Sequence, residues 1–309
     1  MILEKFFERL NKIYSPADVK ITMEWFNSER ITSFRVNTIK SNNKEIEKFL
    51  SSNKIDFKKI DFIENVYILD KKDEFFIKWS RIFYDGKIYL QGIASLIPAI
   101  VLNPIAWDKV LDVTASPGSK TTQICAMMWN KWEIIAAEKN QIRFDKLNYN
   151  LNIQWCNITE SIKMDSLNLK DKFKNWYFNK ILFDAPCSAE WRINLWNEKS
   201  YGFWTLENIS NKQKLQLEIF ESILPLLASN WEIVYSTCTI APEENEEVVN
   251  AICEKYSLVI EEIDFKFEYR RPGLTEFNEK KYNNEMEKTL RILPSNLSEW
   301  FFIAKLRKN

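Results

Sequence analysis

The chain reads as an α/β protein, a parallel sheet wound with helices and preceded by a small α+β module. Three observations predict this class. From about residue 87 onward, short apolar runs alternate with helical patterns, the mark of a parallel sheet buried on both faces. The first of these runs, KVLDVTA, leads through a loop of small residues into a helical stretch, as strands do where a doubly wound sheet binds ligands. Residues 1–85 mix helical and strand-like stretches without that alternation. The expected organisation is therefore a module over 1–85 and a sheet domain over 86–309, with no Pro/Gly-rich linker between them.

In the module, MILEKFFERLNKIY and NKEIEKFLSSN carry a helical period, whereas TSFRVNTI, NVYIL and FFIKW read as strands. In the domain, KVLDVTA, EIIAAE, NITESI, KILFDAP and EIVYSTC are the predicted strands. Helices are expected over SKTTQICAMM, NQIRFDKLNYNL, Gln213 to Ala228, and EENEEVVNAICEKY. The terminal FFIAKLRK is expected to close the sheet as an edge strand. Neither an internal repeat nor a low-complexity segment is present.

A chain of 309 residues with 46% hydrophobic content can bury a sizeable core. No stretch reaches the roughly 18 consecutive apolar residues that span a bilayer. The start MILEKFFERLNK carries acids among its bases and no small-residue cleavage site, so a cytoplasmic protein without membrane contact is expected. Cys125, Cys156, Cys187, Cys238 and Cys253 form no CxxC pair and show no metal-ligand spacing. Reduced thiols and no metal follow. The balance of 43 basic and 43 acidic residues gives no global pull toward nucleic acid. The chain has no histidine, which excludes Ser-His-Asp and Cys-His nucleophile systems, histidine bases and His-ligated zinc.

Glycine and tryptophan depart from ordinary usage. At about 7% a chain of this length carries roughly 22 glycines, and this one has 5 glycines and 12 tryptophans. Trp129 and Trp132 fall in a helix-to-strand turn, and Trp231 falls just before a buried strand. A left-handed backbone is common at such positions and a bulky side chain is disfavoured. These tryptophans are expected to be glycine in the native protein, encoded by UGA in a genome that reads that codon as glycine.

In DVTASPGSKTTQ, Pro117 and Gly118 sit in the loop and the helix opens at Ser119. Small residues let the backbone approach a ligand, and the free amides at the helix start can bond its polar groups. The earlier glycine of a phosphate-binding P-loop is missing. Glu138, at the end of the next strand, is placed to accept hydrogen bonds from two ribose hydroxyls. Asp165 and Asp184, also near strand ends, would complete such a pocket.

DVTASPGSKTTQ, DAPCSAE, YSTCTIAPEENEEVV, SFRVNT, YLQGIAS and the terminal RILP with FFIAKL resemble the RsmB/NOP (NSUN-type) RNA cytosine-5 methyltransferases over nearly the whole chain. The resemblance implies a Rossmann-like S-adenosylmethionine domain behind a small RNA-binding module. It also implies an RNA partner, rRNA ahead of tRNA, and activity as a monomer. It assigns the cofactor to the loop Thr114, Ala115, Ser116, Pro117, Gly118, Ser119 and Lys120, with Glu138, Arg143, Asp165 and Asp184. The nucleophile falls on Cys238 and the thiol for product release on Cys187. Arg35 and Asn37, with Tyr89 and Gln91, match segments near the RNA. The family's usual glycines appear here as tryptophan at 107, 129, 132, 155, 191, 231 and 300, whereas Trp204 stands where an aromatic is usual. Trp191, read literally, would crowd the catalytic loop.

Chemistry accounts for the two thiols and the acid. Cytosine C5 is a weak nucleophile, so a thiolate must first add at C6. Cys238 is the candidate for that addition, and Asp184 could hydrogen-bond the N3/N4 edge of the ring and, when protonated, offset its developing charge. Loss of the C5 proton and elimination of the thiolate then need Cys187, a carboxylate or water. A thiol with an ordinary pKa near about 8.5 needs a positive neighbourhood to ionise, for which Lys120 is a candidate. A target base within a helix would have to be flipped out. Two other readings compete: a noncatalytic RNA-binding assembly factor, and a DNA cytosine-5 methyltransferase. The second is disfavoured because such enzymes use the cysteine of the PC segment and lack the TC segment.

Overall fold

A computed structural model describes residues 2–308. After helices Ile2–Ile13 and Pro16–Phe26, a four-stranded antiparallel sheet forms from β1 (Thr32–Val36), β2 (Phe57–Lys59), β3 (Val66–Leu69) and β4 (Ile88–Leu90), in the order β2-β3-β1-β4. Helix Asn43–Ser52, capped by the Asn42 side chain, lays Ile46 and Leu50 against Phe34, Tyr67 and Ile88. The run FFIKW lies not in a strand but mostly in a short helix, Glu74–Lys78. A run of five residues, four of them apolar, does not by itself distinguish the two periods, and Glu74 fixes this turn by pairing with both Lys71 and Lys78. The strand β4 lies beyond residue 85 yet completes the first sheet. The first two helices precede that sheet yet place Phe6, Leu10 and Trp25 in the core of the larger one.

Among the described residues, the larger sheet has nine strands. Its parallel part consists of β5 (Lys109–Asp112), β6 (Glu133–Ala137), β7 (Thr159–Ile162), β8 (Phe178–Asp184) and β9 (Leu227–Thr237), in the order β9-β8-β5-β6-β7. Alternate residues of these strands enter opposite cores. Leu111, Ile135, Ile181, Phe183 and Ile233 face one; Val110, Ile134, Leu182 and Val234 face the other. Burial on both faces explains the apolar runs in β5, β6, β8 and the second half of β9. The covering helices include Ile93–Leu102, Ser119–Met127, Gln141–Ile153, Leu206–Ile223 and Glu246–Tyr256. The fourth of these begins seven residues before the predicted Gln213, where the Thr205 hydroxyl accepts from Asn208 N. It ends before Ala228, which already belongs to β9.

The remaining strands are β10 (Val259–Glu261), β11 (Arg270–Pro272), the small hairpin β12 (Glu276–Phe277) with β13 (Lys280–Lys281), β14 (Leu290–Ile292) and β15 (Phe301–Arg307). FFIAKLRK, as β15, is not an edge strand. It pairs antiparallel with β9 on one side and with β10 and β14 on the other, and β11 extends the sheet further. Short strands from 259–292 provide that cover, and they are too brief to show a period. No helix among the described residues is long and apolar enough to cross a membrane.

Backbone angles bear on the tryptophans. Trp107, Trp129, Trp132 and Trp155 have φ of 91°, 53°, 80° and 59°, and all four side chains are exposed. Trp176, outside the expected set, shares this geometry at φ 62°. Trp191, Trp231 and Trp300 do not; Asn230 adopts φ 63° ahead of Trp231. Trp300 differs in another way: it is fully buried and its indole N–H has no partner. A left-handed backbone costs a side-chain-bearing residue roughly 1–2 kcal/mol. Trp129→Gly and Trp132→Gly should therefore each raise the unfolding free energy by about 1 kcal/mol, visible as a higher urea midpoint. Unchanged midpoints would contradict the strain. Peptide mass spectrometry of protein from its source organism should read glycine at 107, 129, 132 and 155.

Candidate active site

The strand order reverses beside β5: the chain runs outward through β6 and β7, then returns to β8 on the other side. Ligands of such sheets bind outside the carboxyl ends of the strands at this switch point. Asp112 ends β5, Asp184 ends β8 and Thr237 ends β9. The loop 114–118 crosses this edge, with Ala115 N donating to Ala137 O and the Thr114 hydroxyl donating to Asp184 O at 2.6 Å. Gly118, at φ 102°, turns the chain into the helix that opens at Ser119. A Cβ there would meet a Leu147 methyl at 3.1 Å, so the residue is fixed both by its backbone and by the helix packed beneath it.

Two sets of predicted residues assemble at this edge. In the first, Glu138 is buried and accepts from Asn140 N at 2.8 Å and from Arg143 Nε at 2.9 Å. Arg143 also donates to Ser116 O, and the Ser116 hydroxyl donates to Arg143 O. The carboxylate, the arginine and the loop thus form one hydrogen-bonded unit. Asp165 stands nearby on the next strand's exit, accepting from Leu167 N and from Lys139.

The second set carries the thiols. Cys187 follows β8, Cys238 follows β9, and their sulfurs lie 3.1 Å apart. Lys120 Nζ donates to Asp184 Oδ2 at 2.6 Å and to Ser95 Oγ at 3.0 Å, and sits over the Phe301 ring. Ser236 donates to Asp184 Oδ1 at 2.7 Å. Cys238, Asp184 and Lys120 border a cavity of about 550 Å³ that also touches Tyr89, Gln91 and Trp191. A cavity of this size is ordinary for an organic ligand. The Cys238 thiol is held well above the usual range, first by its hydrogen bond with Cys187, then by burial and by the charge of Asp184, with Lys120 opposing. Among the described residues, no cluster of three or more cysteines or carboxylates is arranged to hold a metal ion.

The residues matched to RNA contacts divide. Tyr89 and Gln91 line the cavity. Arg35 and Asn37 are 4% and 1% exposed; Arg35 lies on β1, interior to the module's sheet, and Asn37 directly follows that strand. Arg35 donates to Gln91 Oε1, Thr122 Oγ1 and Ser119 O, and its guanidinium, lowered to about 10 by burial, lies over the Tyr89 ring. Asn37 donates to Gly86 O and Gln154 O. Their hydrogen bonds join the module to helix Ser119–Met127 and to the end of helix Gln141–Ile153. Trp191 does border the cavity, as its position four residues after Cys187 implied.

Sequence reasoning passed over Asp112, Ser95, Ser236 and Glu190. Asp112 accepts from the Thr121 hydroxyl at 2.7 Å, and burial, with the charge of Asp184, pushes it up to about 6. It opens DVTASPGSK, and its strand-end position was the available signal. Glu190 closes DAPCSAE and is completely buried. It accepts from Thr239 Oγ1, Ile240 N and Trp204 Nε1. Glu244, beneath Cys187, accepts from Ser188 N and Gln216 Nε2 and is pushed up to about 7 by burial and the neighbouring Glu190.

A Rossmann-like sheet with paired thiols at its ligand-binding edge places the molecule among the α/β methyltransferase folds, and comparison with known proteins narrows this. A family model described as 16S rRNA methyltransferase RsmB/F matches residues 99–307, and the chain belongs to that family. It is 33% identical over 290 residues to a tRNA (cytosine(49)-C(5))-methyltransferase of Pyrococcus abyssi, covering 89% of this chain and 88% of that one. It is 30% identical over 315 residues to the ribosomal RNA small subunit methyltransferase F of Vibrio parahaemolyticus, covering 97% of this chain and 62% of that one. It therefore spans under two thirds of that longer relative. A crystal structure of a methyltransferase homologue from Pyrococcus horikoshii superposes with a TM-score of 0.81 at 28% identity, over 93% of this chain and 90% of that one.

Two outcomes test the electrostatics. Cys187→Ala removes the largest influence raising the Cys238 pKa, so alkylation of Cys238 by iodoacetamide at pH 7 should become faster; a slower rate would contradict the coupling. Glu244 is raised from 4.5 to about 7. Its contribution to stability is complete below its unfolded pKa and is lost as pH rises through about 7. Glu244→Gln should lose less stability than wild type between pH 4.5 and 7 in urea titrations, and identical slopes would contradict the shift.

Proposed function

We propose that the protein is an RNA methyltransferase that forms 5-methylcytosine through a covalent adduct of Cys238 with cytosine C6. The observation that carries this reading is the pair of sulfurs 3.1 Å apart beside the Lys120–Asp184 ion pair on the cavity wall. The names of the relatives agree with it, for both tRNA and rRNA.

The pocket suits S-adenosylmethionine. Glu138, directly after β6, is a buried carboxylate of the kind that accepts from ribose hydroxyls, and Gly118 adds no side chain where the loop turns into its helix. Thr114 to Lys120, Glu138, Arg143, Asp165 and Asp184 would hold that cofactor. When bound, it supplies an electrophilic methyl group.

The chain's own groups divide the remaining work. Cys238 must lose its proton before attacking C6, and Lys120 is the nearby cation that favours its thiolate. Asp184, oriented by Lys120 and Ser236, faces the cavity and is suited to the N3/N4 edge of the base. Addition at C6 makes C5 nucleophilic enough to accept the methyl group. The C5 proton then leaves and the Cys238–C6 bond breaks, restoring the aromatic ring. Cys187, in contact with Cys238, is the group assigned to this release. Tyr89 and Gln91 border the cavity where bases next to the target could rest.

The test is transfer of labelled methyl from S-adenosylmethionine to small-subunit rRNA and to tRNA, followed by nucleoside analysis. Label should appear in 5-methylcytidine and fall by at least ~10³-fold in Cys238→Ala. Cys187→Ala should instead accumulate a protein–RNA adduct stable to denaturation. Folded, cofactor-binding protein that labels neither RNA would contradict the reading.

A further inference from the structure

The thiols belong to loops 51 residues apart in sequence, and the sheet alone brings only their strands together. Three of the buried hydrogen bonds that hold the loops converge on one side chain. Glu190, three residues after Cys187 and fully buried, accepts from the Thr239 hydroxyl at 2.5 Å and from Ile240 N at 2.8 Å, immediately after Cys238. Its other oxygen accepts from Trp204 Nε1 at 2.5 Å. Secondary ties follow the same line: the Ser188 and Thr239 hydroxyls bond at 2.9 Å, and Trp191 N donates to Cys238 O at 3.3 Å. From the far side, Arg291 donates to Ile240 O at 3.1 Å while paired with the buried Glu246.

We propose that Glu190 is the positioning residue of the thiol pair, holding the loop of Cys238 against the loop of Cys187 and thereby setting the approach of the nucleophile to the base. This assignment rests on reading Cys238 as that nucleophile. The chemistry of the site calls for a carboxylate. Trp204 Nε1 and Ile240 N can only donate, and they lie on different oxygens of Glu190. A glutamine offers one accepting oxygen, so its amide nitrogen must face either the indole N–H or the Ile240 N–H. In either orientation one buried donor is left unpaired and opposed.

That logic predicts a rescue. In Trp204→Phe/Glu190→Gln the opposing indole N–H is gone, so glutamine can turn its oxygen to Thr239 and Ile240. The phenyl ring keeps the edge contact with Phe6, whose centroid lies 5.9 Å from that of Trp204. Two measurements test the proposal. The first is the rate at which diamide joins Cys187 and Cys238 in folded protein; two thiols become a disulfide, diamide is reduced to its hydrazine, and peptide mapping locates the bond. The second is methylation, resolved into kcat and KM for S-adenosylmethionine. Glu190→Gln should slow disulfide closure at least ~10-fold and lower kcat by about 10²-fold, the scale of a misplaced reacting group, with KM for the cofactor little changed. The double variant should recover part of both losses.

Closure and kcat both within twofold of wild type in Glu190→Gln would overturn the proposal. So would a fall in kcat with unaltered closure, or a double variant no better than the single one. The closure rate is independent of the substrate assignment. Wild-type protein that closes rapidly but methylates no RNA would refute the functional reading while leaving the placement by Glu190 intact.

Discussion

The parallel pairing of β8 with β9 is the constraint on which the rest depends. Their register sets Asp184 opposite Ser236, so both strands end at the same edge and their outgoing loops begin side by side. Ser236 can then donate to Asp184, and Lys120, arriving from the helix after β5, can pair with the same carboxylate. A slip of one residue would turn every side chain of a strand to the opposite face. It would exchange Phe183 and Leu182 between the two cores and carry Asp184 away from its partners. The apolar packing on both faces is thus what specifies the polar edge.

That edge must solve a chemical problem without histidine. A thiol nucleophile is ordinarily activated by an adjacent base or by positive charge. Here the half-buried Cys238 contacts a second thiol and lies near Asp184, which together favour its neutral form, and Lys120 opposes them. The resting Cys238 thiol is thus biased toward its neutral form, with the cation already in place. In the proposed reaction, the contact between Cys187 and Cys238 gives a short path for the later elimination. Buried carboxylates behind the loops, Glu190 and Glu244, are used to accept hydrogen bonds from loop donors, so the thiols owe their placement to groups that do not face the cavity.

Much of this could be read from the chain. Four of the five parallel strands, β5, β6, β8 and β9, were legible because two-sided burial leaves short apolar runs, and the loop, the acids and the thiols were legible as residues near strand ends. What escaped has physical causes. The segment FFIKW is too short for its period to separate helix from strand. The cover over β15 comes from strands of three residues. Arg35 and Asn37 carry side chains suited to RNA, but their burial depends on helices more than 80 residues away in sequence, which no local pattern can disclose. Glu190 was in view within DAPCSAE, yet its significance lies in donors from two other segments. The tryptophans split in the same manner: turn positions with left-handed backbones stood out, whereas Trp176 was overlooked and Trp300 is anomalous through its buried, unpartnered indole rather than its φ.

The measurement that tests the central claim most directly is to react wild-type protein and S-adenosylmethionine with RNA containing 5-fluorocytidine, whose C5 fluorine cannot leave as a proton does, and to map the trapped nucleotide by peptide mass spectrometry. The account predicts a single methylated adduct on Cys238. An adduct on Cys187, or methyl transfer with no adduct on either thiol, would contradict it.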